Sequence, residues 1–175
     1  HLGGLNKLDL RTNHFTVYRM KAGDPTTLPS DIVRDIVPYE DKLIIATQNG
    51  VCLFNPATGT CEHLFKDTKE GRNIGMVASL YIDKDETLWV SATGEGVYSY
   101  RFDTGKLTHY AHNPSIPNTL SNNNVNNIMQ DSNGNLWFST SGSGLDRCRK
   151  ESNDFENFDM QKDGLSSDCI YEVFE

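Results

Sequence analysis

Self-similarity at a fixed period constrains this chain more than any other feature. The stretch TLWVSATGEGV, from Thr87, lies over NLWFSTSGSGL, from Asn135, at a constant shift of 48 residues. Leu88, Trp89, Ser91, Gly94 and Gly96 fall on Leu136, Trp137, Ser139, Gly142 and Gly144. A more worn copy is KLIIATQNGV, from Lys42, in which Ile44 replaces the Trp and the loop is one residue shorter. Gly4, Gly50, Gly96 and Gly144 follow one another at 46, 46 and 48 residues. Each is trailed by an apolar pair: Phe15 and Tyr18, Cys61 and Leu64, Leu107 and Tyr110, Phe155 and Phe158. A period of this length marks one supersecondary unit that buries its apolar face only by stacking on its neighbours.

Period-two alternation and turn chemistry divide the unit into four short strands. In the clearest copy VNNIMQD is the first strand, SNGN a turn, LWFST the second, SGSG a turn, LDRCRK the third and DFENF the last. A similar hairpin recurs at YSYRFDTGKLTHY, where Asp103, Thr104 and Gly105 have the backbone preferences of a tight reversal. No helix is expected. Four antiparallel strands repeated about every 46 residues are the signature of β-propeller blades. The fold class is therefore all-β, a partial propeller of about three and a half blades. Residues 1–31 end one blade, 32–72, 73–123 and 124–168 form three more, and 169–175 begin a further one. Complete propellers have about four to eight blades, so the chain reads as a fragment whose ends are cut. Its open faces predict self-association, as a homodimer, or marginal stability. A four-bladed ring closed by pairing of the termini is the alternative.

Composition excludes other classes. With 37% hydrophobic and 23% charged residues the 175-residue chain is globular. No apolar run approaches the roughly eighteen residues of a membrane span. A net charge of -8 without a basic patch argues against nucleic acid as a partner. The chain starts at His1 without an initiator Met or a signal peptide. Cys52, Cys61, Cys148 and Cys169 lack zinc-site spacing and the density of a disulfide scaffold. Cys52 and Cys61 flank the turn NPATG, which leaves a cross-strand disulfide open, while buried free thiols are the plainer reading.

The stretch DSNGNLWFSTSGSGL, from Asp131, invites two chemical readings. Its start resembles a calcium loop, yet the twelfth position, where an EF-hand carries a bidentate Glu, is Gly142. Its end could cradle phosphate, but no helix opens there. Both pieces read as architectural turns, and no metal or cofactor is expected. Trp89 and Trp137 recur on a strand and read as packing between blades. His63 and His109 occupy matching positions and are expected to point away from the buried face in an exposed structural role.

The set Leu120, Ser121, Val125, Ile128, Asp131, Gly134, Leu136, Trp137, Thr140, Gly142, Gly144 and Leu145 resembles the two-component regulator propeller repeat. Val33, Ile36, Leu43 and Gly50 match it in one further copy, and Val77, Leu80, Asp83, Leu88, Trp89 and Gly96 in the next. GLSSDCIYEVFE starts another, with Leu165, Ile170 and Val173 set 45 residues beyond Leu120, Val125 and Ile128. The resemblance implies seven-bladed rings, a periplasmic sensor region and a parent protein anchored in the membrane outside this segment. It also implies oligosaccharides from polysaccharide breakdown as ligands, and a histidine kinase elsewhere in a hybrid two-component system. This segment would then bind rather than catalyse, with the remaining blades of the parent as its partners.

In such a ring the loops from fourth to next first strand and from second to third share one face. Those loops carry groups suited to sugar hydroxyls: Asp31, Arg34, Arg72, Asn73, Glu95, Asn122, Asn123, Asn124 and Asp168. Arg72, Asn73, Glu95, Asn122, Asn124 and Asp168 form the candidate ligand-binding set. Two rival functions are a protein-interaction propeller without a small ligand and a propeller lyase or hydrolase. The enzyme would need a converging acid/base set, for which His1, His14 and His112 are the remaining histidines and none has a recognisable catalytic context. No catalytic residue is assigned.

Overall fold

A computed structural model describes residues 3–65, 74–149 and 154–175. Every main strand pairing among them is antiparallel and joins neighbours in sequence, the arrangement that short turns between alternating strands dictate. β1 (Leu5–Asp9) and β2 (His14–Tyr18) form a two-stranded sheet. β3 (Val33–Tyr39), β4 (Lys42–Thr47), β5 (Gly50–Asn55) and β6 (Thr60–Leu64) form the first four-stranded sheet. β7 (Val77–Ile82), β8 (Thr87–Ala92), β9 (Gly96–Arg101) and β10 (Lys106–Tyr110) form the next. β11 (Val125–Gln130), β12 (Leu136–Thr140), β13 (Leu145–Cys148) and β14 (Phe155–Phe158) form the last. These are the blades of a β-propeller segment, and the last holds the four strands read from its sequence.

The chain divides into two compact units, 1–77 and 78–175. In the first, Leu5 and Leu28 close over Ile45, Cys52, Phe54 and Cys61, and Tyr18 meets Phe54 edge-on at 4.8 Å. In the second, Trp89, Val97 and Leu120 pack with Val125, Leu136, Phe138 and Phe155. Trp89 meets Phe138 at 5.7 Å, and the Ser91 hydroxyl donates to the carbonyl of Val125. The repeat glycines follow from one crowded point. A Cβ on Gly96 would lie 2.3 Å from the Tyr110 carbonyl oxygen, and one on Gly144 2.0 Å from that of Phe158. Both residues also hold positive φ, at 95° and 79°.

Three sequence expectations need correction. A one-turn helix, α1 (Met160–Asp163), follows β14, because Asp159 accepts from the Gln161 and Lys162 amides and Gly164 ends the turn at φ 74°. The terminal segment forms a single bridge, Cys169 to Ser141, instead of a strand. A strand needs a continuous ladder, and Ile170 reaches Thr140 with one amide bond. Trp89 is buried at 6% exposure, but Trp137 is only half-buried. Its face carries the Arg147 guanidinium, 5.3 Å away.

Cys52, Cys61, Cys148 and Cys169 are free thiols; the first three are buried and Cys169 is exposed. Burial pushes the Cys148 thiol up to about 11. Among the described residues no helix is long and apolar enough to cross a membrane.

Candidate functional site

The turn acids are structural. Asp131 accepts from the Asn135 amide and side chain, both at 2.8 Å, and from Trp137 Nε1 at 2.9 Å. Asp83 repeats the device, accepting from Asp85 N and Thr87 N at 2.9 Å and Trp89 Nε1 at 2.8 Å. Burial raises the Asp131 carboxyl, but the Asn135 and Trp137 bonds outweigh it and leave it below the ordinary range. A carboxylate engaged by three donors inside its own turn offers little to a cation.

The connections leaving β2, β10 and β14 share a second device. Asp31, Asn123 and Asp168 accept at Oδ1 from the amides of Met20, His112 and Met160, at 2.7, 2.7 and 2.8 Å. Their carbonyls accept from Gly4, Gly96 and Gly144 at 2.9, 3.0 and 2.8 Å. Each clamps the start of the connection to the glycine turn beside it. Asp31 also faces Arg19 at 3.6 Å.

In the second unit these connections gather several of the sequence-chosen residues. Asn122 donates to the Ser141 carbonyl and Ser143 Oγ, both at 3.2 Å, and its Oδ1 accepts from Asn124 N. The Asn124 carbonyl accepts from Ser141 N, while its side chain is exposed. Glu95 accepts from the Tyr98 hydroxyl at 2.8 Å. Glu95, Asn122, Asn124 and Asp168 thus stand on linked loops, with only Asn124 presenting an unengaged amide. Arg72 and Asn73 lie outside the described residues. In the first unit Arg34 Nη2 meets Gln48 Oε1 at 3.0 Å.

Sequence reasoning missed the partner of that pair. Asn126, the repeat equivalent of Arg34, accepts from Ser141 Oγ at 2.9 Å, as Arg34 contacts Gln48. Aligning the first strands and the residues just past the second strands would have exposed it. Also missed was a groove of about 1570 Å³ between the connection after β10 and β14. Asn118, Ser121, Ser143, Arg147, Asn157 and Lys162 line it, and it reaches Asp168. Arg147 lies over Trp137 and Phe158 and pairs with Glu156 at 2.5 Å. That hydrogen bond holds the Glu156 carboxyl below its ordinary range. Amides, hydroxyls and a stacked guanidinium suit a polyhydroxylated ligand.

Three histidines are engaged by the fold, and His1 lies outside the described residues. His63 Nε2, His109 Nε2 and His112 Nδ1 lie 2.6, 2.7 and 2.7 Å from the carbonyls of Thr27, Glu95 and Leu120. His109 is exposed and stacked on Tyr98 at 4.3 Å, whereas His63 is half-buried, because the connection after β2 covers it.

Residues 119–142 match the family model of the two component regulator propeller. No curated protein matches the chain. The extracellular domain of the putative hybrid two component system BT3049 from B. thetaiotaomicron is 25% identical, with a TM-score of 0.74, over 88% of this chain and 20% of that one. That of BT4673 from the same organism is 21% identical, with a TM-score of 0.77, over 99% and 22%. A virginiamycin B lyase from Staphylococcus aureus shares the fold at 16% identity and a TM-score of 0.62, over 91% and 49%. The chain spans about one fifth of the length of the two hybrid-system domains. It is a β-propeller segment whose residues 119–142 match the two component regulator propeller, and it is similar to the extracellular domains of putative hybrid two component systems.

Proposed function

We propose that this segment belongs to a periplasmic sensor propeller that binds glycan-derived oligosaccharides and regulates polysaccharide-utilisation genes through a histidine kinase elsewhere in the parent. The observation that carries the reading is the polar groove beside β14, in a chain similar to extracellular sensor domains. The groove's asparagines and serines can donate and accept hydrogen bonds. The segment itself binds; the parent's kinase and membrane anchor lie outside it.

The test is a thermal-shift screen of the complete parent sensor region against plant, host and microbial oligosaccharides. Selective binding raises the melting temperature, by about 2.7 kcal/mol of stabilisation at a hundredfold excess over Kd. A shift with one glycan class that N118A and N157A weaken supports the reading. No shift with any sugar, for a folded sample, overturns it in favour of a protein-binding propeller.

A further inference from the structure

The contact between the two blades of the second unit is closely packed and apolar around Trp89, Phe138 and Val125 but opens, toward the β9–β10 turn, into a slot of about 270 Å³. That is room for roughly nine waters at about 30 Å³ each. Its floor is apolar and buried: Trp89, Leu136 and Cys148 are 6%, 6% and 4% exposed. The Trp89 N–H is held by Asp83, so the indole offers the slot ring surface alone. Tyr110 lies beside it at 5.6 Å. Thr87, Ser99 and Thr108 line the walls.

The rim carries charges of both signs. Arg101 is paired with Asp103 at 2.7 Å and Arg149 with Glu156 at 3.3 Å. Lys106, Asp83 and Asp85 add one cation and two carboxylates, so the rim has no excess of positive charge. An aromatic floor favours a ring with C–H faces, walls of Thr and Ser favour a polyol, and a rim without excess positive charge gives no advantage to an anionic ligand. We infer that this inter-blade slot binds a single neutral pyranose or furanose ring, a site separate from the groove beside β14. The inference rests on the glycan reading above and adds to it a size and a charge class.

The chain contains two tryptophans, so W137F leaves Trp89 as the only indole. In that background, titration with D-glucose, D-galactose and L-arabinose is expected to change Trp89 emission saturably at millimolar concentration, with sodium D-glucuronate at least tenfold weaker. T108F fills the slot and is expected to weaken the response at least tenfold. No saturable change with any neutral monosaccharide, glucuronate binding as tightly, or unchanged affinity in T108F overturns the inference. Oligosaccharides that stabilise the parent sensor region while monosaccharides leave Trp89 unaffected would remove the slot and keep the glycan reading. The absence of any sugar response in both experiments would remove both.

Discussion

Asp146 has no solvent exposure, and its carboxylate accepts from Ser121 N and Ser121 Oγ at 2.9 Å and from Asn157 Nδ2 at 3.3 Å. It ties the connection entering the last blade to β14. Burial pushes its carboxyl above the ordinary value, against the pull of the Ser121 and Asn157 bonds and of His112. A raised folded value means that the neutral acid is favoured by folding. The stability it contributes is complete below about pH 4, the unfolded carboxyl value, and is lost as pH rises through the folded one. D146N removes the titration. Denaturant unfolding of both proteins from pH 4 to 7 is expected to show wild type losing stability relative to D146N across this window. Parallel curves would refute the assignment. Sequence shows only an Asp on a strand here, because burial depends on a connection 25 residues away.

The strands themselves were legible, since alternation and turn residues act over a few neighbours. The connections after the fourth strands were not. Asp31, Asn123 and Asp168 look like ligand-binding candidates because turn-rich polar residues and sugar-binding residues have the same chemistry. Only the fold shows that their side chains hold Met20, His112 and Met160. D168A is therefore expected to cost about 1 kcal/mol, the usual net value of one hydrogen bond, whereas D168N, which keeps an acceptor, costs less. Thermal unfolding of the two variants checks this, and equal losses would show that the bond to Met160 contributes nothing. Helix α1 had its signals in place, an Asp before it and a Gly after it, but four residues carry no 3.6-residue periodicity.

At the scale of the molecule, repeat equivalence exposes an unbalanced surface. Leu8 and Phe15 are opposed on β1 and β2 and correspond to Cys148 and Phe155. The latter are 4% and 5% exposed against Trp89 and Tyr110, while Leu8, Phe15 and Val17 are 40%, 60% and 47% exposed. Such a stripe promotes self-association. Light scattering is expected to show mass rising with protein concentration and F15K shifting it toward the monomer; a concentration-independent mass would count against the stripe. By itself the sequence determined the blade, its four strands and its period, because alternation, tight turns and room beside Gly96 and Gly144 are local constraints repeated along the chain. Only the tertiary structure decided which polar residues face a cavity and which are held by neighbouring loops. Hydrogen bonds between Asn122 and Ser143, or Asp146 and Ser121, join positions more than twenty residues apart, and no spacing in the sequence specifies that closure.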